Sequence, residues 1–354
     1  MKIDQLTFTR FLAAISIVIY HYGLSIFPFS QTIIKPIFES ANLGVSYFFL
    51  LSGFILTIVY YDKATINIKE FWIARFARIY PVYLFSLFLI LIPKVYASGM
   101  GVLLSTRMFT HTLLLQSWYP PYTMKWNYPA WSLSVEVFFY FIFPFFIFFA
   151  RKWRLKKLVL SSSLLWIASM TAYYILSKKD PLSSNLFTLI NFSPIFHLAT
   201  FIVGITTGRI YKEIKPLTNE IIIQSILFFA ILLFLICIYL KATFIPGIFI
   251  PLFSLIILTL SWSKAGLSAL LSTPLFVLLG EISFSIYILQ EPVRILYNLI
   301  FGEFIVSSIV HFYMYVVVLI GSSFICYRFI EIPMRNKIRQ YMHRHKTPEY
   351  SISK

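Results

Sequence analysis

Residues 9–23 read TRFLAAISIVIYHYG, an apolar run of helix length with an arginine near its start and a histidine eleven residues further on. Runs of this kind recur along the whole chain. Apolar stretches of about 17 to 25 residues, enough to cross a bilayer core, are expected at roughly 6–28, 41–61, 79–96, 130–150, 157–177, 189–211, 220–240, 244–262, 275–300 and 303–330. Of 354 residues, 59% are hydrophobic and only 12% are charged, which sets the chain apart from soluble domains. The expectation is an all-α, polytopic integral membrane protein of about ten transmembrane helices, since helices satisfy their own backbone groups in lipid. The first run is long, lacks a small-residue cleavage site and is followed at once by further spans, so it is expected to be retained. One membrane domain, 1–335, and a basic cytoplasmic tail, 336–354, complete the organisation.

The net charge of +17 would suggest a nucleic-acid partner in a soluble chain. Its distribution points elsewhere. With a cytoplasmic amino terminus, 22 of the 30 Lys and Arg residues fall on the cytoplasmic side and 8 on the other. Ten spans with both termini inside therefore obey the positive-inside rule, and the partner implied is the lipid bilayer. A basic cytoplasmic face also attracts anionic cofactors or lipids. Cys237 and Cys326 both lie in apolar segments, so neither a disulfide framework nor a metal site is expected.

An ionisable side chain inside a span costs roughly 2.5 to 3.5 kcal/mol, which makes such residues the first place to look for chemistry. Arg10 and His21 are eleven residues apart, and eleven helical steps return to within about 20° of the starting direction, some 16 Å along the axis. They share one face. The alternatives are a snorkelling arginine with a structurally bonded histidine, or a working pair. Glu136, in WSLSVEVFFYFIFP, lies at a similar depth to His21 if the two spans run antiparallel. A carboxylate there can orient an imidazole general base, or make a structural hydrogen bond to Trp131 or at a backbone break. In LGEISFSIYILQEPV, Tyr287, Gln290 and Glu291 stand beside Pro292, where a kink is expected; they either line a cavity or hold that kink together.

Two stretches outside the spans add to this. IKEFWIARFARIYPVY, residues 68–83, reads as a cytoplasmic amphipathic segment with Arg75 and Arg78 on one face, ended by Pro81 where the third span begins. QSWYPPYTMKWNYPAW, residues 116–131, is crowded with aromatic residues. Trp118, Tyr122 and Trp126 form either an interfacial belt or a sugar-stacking platform shaped by Pro120, Pro121 and Pro129. Near the end, YRFIEIPMR spaces Arg328, Glu331 and Arg335 for an intrahelical ion pair.

Taken in order, these motifs resemble the acyltransferase 3 family of bacterial integral-membrane acyltransferases, from Arg10 to Arg335. The matching pieces are R(x10)H at Arg10 and His21, NLGVSYFFLLSGFIL at 42–56, FWIARFARIYPVY at 71–83, NYPAWSLSVEVFFYFIFP at 127–144, LGEISFSIYILQEPV at 279–293 and YRFIEIPMR at 327–335. The resemblance implies a membrane O-acyltransferase that takes an acyl group at the cytoplasmic face, commonly acetyl from acetyl-CoA. The acceptor it implies is a hydroxyl of an extracytoplasmic glycan or lipid-linked saccharide, with the protein in the bacterial inner membrane. Position by position, it makes His21 the essential histidine with Glu136 beside it, and Arg10, Arg75 and Arg78 the contacts to the donor. Tyr287, Gln290, Glu291 and the three aromatic loop residues become candidates for acceptor binding. Gln290 departs from the family, where many members carry histidine. The form expected is that of the stand-alone members, without the soluble esterase-like domain of larger relatives. A different class of function, a transporter or flippase of lipid-linked saccharides, would use the same buried polar residues; the lack of internal repeats and the cytoplasmic arginine pair count against it.

Overall fold

The computed structural model describes residues 3–179, 183–241, 247–302 and 307–344, and every regular element among them is helical. The long helices are α1 (Asp4–Tyr22), α2 (Leu43–Tyr60), α3 (Ile68–Ser98), α4 (Trp131–Lys152) and α5 (Leu155–Ser177). They are followed by α6 (Pro194–Glu213), α7 (Glu220–Tyr239), α8 (Ile250–Trp262), α9 (Pro274–Phe301) and α10 (Ser308–Cys326). A π-helical turn, Tyr327–Glu331, joins α10 to α11 (Ile332–Arg344). Among the described residues, eight helices are long and apolar enough to cross a membrane, namely α2 to α7, α9 and α10 with their extensions. The protein is thus an all-α polytopic membrane protein. Helix α1, which carries Asp4, Arg10 and His21, and α8, a shorter apolar helix of 13 residues, stand at the other two expected spans. The first residues expected of the eighth and tenth spans, and tail residues 345–354, lie outside the described part.

The 68–83 segment is not a separate surface helix. It is continuous with the third span as the 31-residue α3, and Pro81 and Pro93 both lie inside it. In an apolar environment the helix keeps its remaining bonds because no other partners are on offer. Asn67 starts it, accepting a hydrogen bond from the Glu70 backbone N–H at 3.1 Å. The expected sixth span, by contrast, is divided: Ser184–Phe192 stops, Ser193 is extended, and Pro194 opens α6. Helix α9 runs unbroken through Pro292.

Small residues let the core helices meet backbone to backbone, the packing that lipid-embedded bundles favour. A Cβ added at Gly53 of α2 would lie 2.3 Å from the Phe201 carbonyl oxygen, and one at Gly204 of α6 would lie 2.2 Å from that of Leu50. On the other flank, a Cβ at Gly280 of α9 would lie 2.0 Å from the Thr7 carbonyl oxygen of α1.

The basic end of the bundle is tied by cations that serve structure. Arg209, 5% exposed, donates from Nη1 to the Trp153 carbonyl at 2.5 Å and to that of Ala150, and from Nε to Glu213 at 2.8 Å. Those carbonyls belong to the last turn of α4, where the helix has no partners of its own and its dipole is negative. Arg151 reaches from α4 to the carbonyls of Tyr60 and Lys63, and Lys212 pairs with Asp62.

Candidate active site

One large cavity, about 460 Å³, opens within this basic end between the first half of α1, α2, the start of α3, the outer half of α4, α9 and the π-helical turn. Arg10 enters from α1, Arg75 and Arg78 from α3, Glu136 and Tyr140 from α4, Glu281 and Tyr287 from α9, Tyr327 and Glu331 from the π-helical turn and Arg335 from α11. Four guanidinium groups therefore face three carboxylates. The remaining wall is largely apolar, with Phe48, Phe49, Ile55, Leu133 and Phe284 among its residues.

How these charges are partnered decides what the cavity can hold. The Tyr140 hydroxyl donates to Glu136, the Tyr327 hydroxyl to Glu281, and Arg335 lies 3.9 Å from Glu331. The Arg75 guanidinium lies 5.9 Å from the ring centres of Phe71 and Tyr140, a cation–π arrangement, yet its buried Nε has no hydrogen-bond acceptor among the described residues. The second carboxylate oxygen of Glu331 and Nε of Arg335 are likewise buried without partners. Glu136 and Glu331 act on Arg10 through space, as does Arg78. Guanidinium forks with unfilled donor positions suit a phosphate-bearing ligand, which accepts bidentate, charge-assisted bonds. The donor set therefore fits an anionic acyl carrier such as coenzyme A.

Beyond the cavity's outer wall lies a second polar group. Tyr287 packs against Phe48 edge to face at 5.9 Å, and its hydroxyl donates to the Pro129 carbonyl at 3.0 Å while lying 2.9 Å from Ser132 Oγ. One turn further out, Gln290 Oε1 is 2.7 Å from His21 Nδ1. Tyr128 packs edge-on to the imidazole with ring centres 4.7 Å apart. The Tyr22 hydroxyl donates to Glu291 at 2.6 Å and accepts from that of Tyr128 at 3.0 Å, and Arg294 lies over the Tyr22 ring at 4.4 Å.

The structure thus brings Arg10, Arg75, Arg78, Glu136 and Tyr287 together in the cavity, and His21, Gln290 and Glu291 together beyond it. His21 has Gln290 as its partner, and Glu136 bonds to Tyr140 instead. The three aromatic loop residues do not form one platform. Trp118 meets Phe138, Tyr122 meets Tyr119 with Arg107 above it, and Trp126 stacks on His111 at 5.9 Å. Sequence reading overlooked Glu281, although the rule on charges inside spans applies to it; the intrahelical pair expected of Glu331 and Arg335 is present at 3.9 Å, and both residues also line the cavity. It had no signal for Tyr22, Tyr128 or Tyr327, which are ordinary aromatic residues until the fold places them.

An all-helical membrane domain with an arginine- and glutamate-lined cavity at its basic end, and a histidine on the helix leading away from it, defines an integral-membrane enzyme class more than any one name. The chain belongs to the acyltransferase 3 family: the acyltransferase domain matches residues 3–328. Among named proteins it is 32% identical over 166 residues to acyltransferase MdmB of Streptomyces mycarofaciens, covering 45% of this chain and 42% of that one. It is 22% identical over 362 residues to O-acetyltransferase OatA of Staphylococcus aureus, covering 93% of this chain and 56% of the other. With peptidoglycan O-acetyltransferase OatA of Listeria monocytogenes the identity is 26% over 186 residues, 47% of this chain and 28% of the other. The chain spans about half the length of the curated relatives it matches. No solved structure gives a significant match.

Proposed function

We propose that this protein is an O-acyltransferase of the bacterial cytoplasmic membrane that moves an acetyl group from acetyl-CoA onto a hydroxyl of an extracytoplasmic polysaccharide or lipid-linked saccharide. The observation that carries this reading is the convergence of Arg10, Arg75 and Arg78 on one cavity of about 460 Å³, with the same α1 face leading on to His21. The glycan acceptor is supported by what the OatA relatives are named for.

In this reading Arg75, Arg78 and Arg10 bind the phosphates of the donor, and its pantetheine arm extends along α1 past Phe48 and Tyr287. His21 takes the proton of the acceptor hydroxyl as the oxygen attacks the thioester carbonyl. The new C–O bond forms, the C–S bond breaks, and the thiolate of coenzyme A recovers the proton from the imidazolium. General base catalysis of this kind is worth typically 10²- to 10⁴-fold. Glu136 lines the same cavity, where its negative charge acts on Arg10 through space.

The test has two parts. Acetyl-CoA should bind the purified protein in a calorimetric titration, and His21→Ala should strip acetyl from the surface glycan, read by mass spectrometry, with membrane insertion unchanged. Absence of acetyl-CoA binding would overturn the reading in favour of saccharide transport. Normal acetyl content in the His21→Ala strain would remove the histidine from the mechanism.

A further inference from the structure

The side chain of Gln290 is fully buried and held at both ends. Its amide faces the Tyr287 main-chain carbonyl at 2.7 Å. A carbonyl oxygen only accepts hydrogen bonds, so the atom facing it is the amide nitrogen Nε2. The other end is then the oxygen Oε1, which also only accepts, and it lies 2.7 Å from His21 Nδ1. For that short contact to be a hydrogen bond, Nδ1 must carry the proton. In a neutral imidazole the proton is on one nitrogen alone, so Nε2 of His21 is left with its lone pair exposed. The Gln290 main chain is fixed as well, because the Tyr315 hydroxyl donates to its carbonyl at 2.9 Å. The amide has no freedom to turn over without putting two oxygens face to face.

We infer that Gln290 is a positioning residue for the transfer reaction: by anchoring on the Tyr287 carbonyl and accepting from His21 Nδ1–H, it fixes the imidazole in the tautomer whose Nε2 is the base. This rests on the reading of His21 as the general base. A carboxylate would do the same and add a negative charge; here the acceptor is neutral, so it orients the ring with a weaker pull towards its protonated form. Around the imidazole, Tyr20 and Tyr22 pack from its own helix and Tyr128 from the chain entering α4, with Glu291, Arg294 and Tyr315 grouped behind Tyr22.

The tautomer is directly observable. In detergent-solubilised full-length protein labelled with ¹⁵N-histidine, the long-range ¹H–¹⁵N pattern of His21, assigned by its loss in His21→Ala, should be that of the Nδ1–H form. Gln290→Leu, which removes the acceptor, should move the major population to Nε2–H. With acetyl-CoA as the donor and membrane glycan as the acceptor, the same variant should lose kcat on the order of 10²-fold. KM for acetyl-CoA should not change. Gln290→Glu keeps an acceptor on Nδ1, so it should retain the Nδ1–H pattern and activity at alkaline pH, and shift the acid limb of the rate profile upward. A wild-type Nε2–H pattern, or a Gln290→Leu protein with unchanged tautomer and kcat, would overturn the positioning role. A fully active His21→Ala protein would instead overturn the catalytic reading and leave the tautomer result standing, so the two failures are distinguishable.

Discussion

Replacing Gly280 with alanine tests how the proposed donor cavity is held open. The added Cβ would lie 2.0 Å from the Thr7 carbonyl oxygen, 2.3 Å from its carbon and 2.8 Å from Phe8 N, all of them backbone atoms of α1 that no rotamer change can clear. To bring the closest contact out to 3.0 Å, α1 must recede from α9 by about 1 Å at this level. Overpacking of this kind costs about 1–3 kcal/mol. Thr7 lines the cavity, and Arg10, one turn on, moves with it. Misplacement of a binding group by about 1 Å can cost up to 10²-fold, so KM for acetyl-CoA should rise several-fold at least. Gly321→Ala is the matched control: no atom lies within 4 Å of its Cβ, and alanine in a helix interior is about 0.5–1 kcal/mol better than glycine. Thermal unfolding in detergent, combined with donor kinetics, reads both effects. If Gly280→Ala unfolds and turns over like Gly321→Ala, the contact between α1 and α9 does not position the cavity and the reasoning fails.

Three other outcomes are expected. Arg75→Ala combined with Arg78→Ala should raise KM for acetyl-CoA at least tenfold with little loss of protein from the membrane; unchanged donor kinetics would remove both from the donor site. Arg209→Leu should behave in the opposite way, lowering the unfolding temperature by the equivalent of about 2–3 kcal/mol because the α4 carbonyls and Glu213 lose their donor, while KM stays the same. In the loop before α4, burial pushes the His111 imidazole down to about 4 from its ordinary 6.5. The unfolded chain therefore binds the extra proton first, and stability is lost as pH falls from about 6.5 towards 4, by up to about 3 kcal/mol. His111→Phe, which keeps an aromatic ring against Trp126, should flatten that dependence in unfolding experiments run between pH 7 and pH 5.

Long apolar runs made the helices legible, because a bilayer demands both length and hydrophobicity of any span. Boundaries failed where a sequence feature has two physical outcomes. Pro81 was expected to separate a surface helix from a span, but proline in a lipid-embedded helix removes one bond without offering the backbone an alternative, so α3 continues. The facing of Arg10 and His21 follows from helical spacing alone. Their separation by the Phe48–Tyr287 wall does not, since it depends on which neighbours fill the space between α1, α2 and α9. Spacing also could not choose between Glu136 and Gln290 as the partner of His21. The fold decides, setting Glu136 in the cavity beside Tyr140 and turning Gln290 towards α1.

The π-helical turn at Tyr327–Glu331 has a consequence for the chain as a ruler. A π-helical turn holds one residue more than an α-helical one, and the surplus lets Tyr327, Glu331 and Arg335, four residues apart in each step, all reach the cavity. Were those five residues to rewind as an α-helix with none removed, everything after them would swing by about 100°. Arg335 would leave the cavity and α11 would present a different side to α3, although not one cavity residue had been changed. At this point the protein counts residues instead of reading their identity.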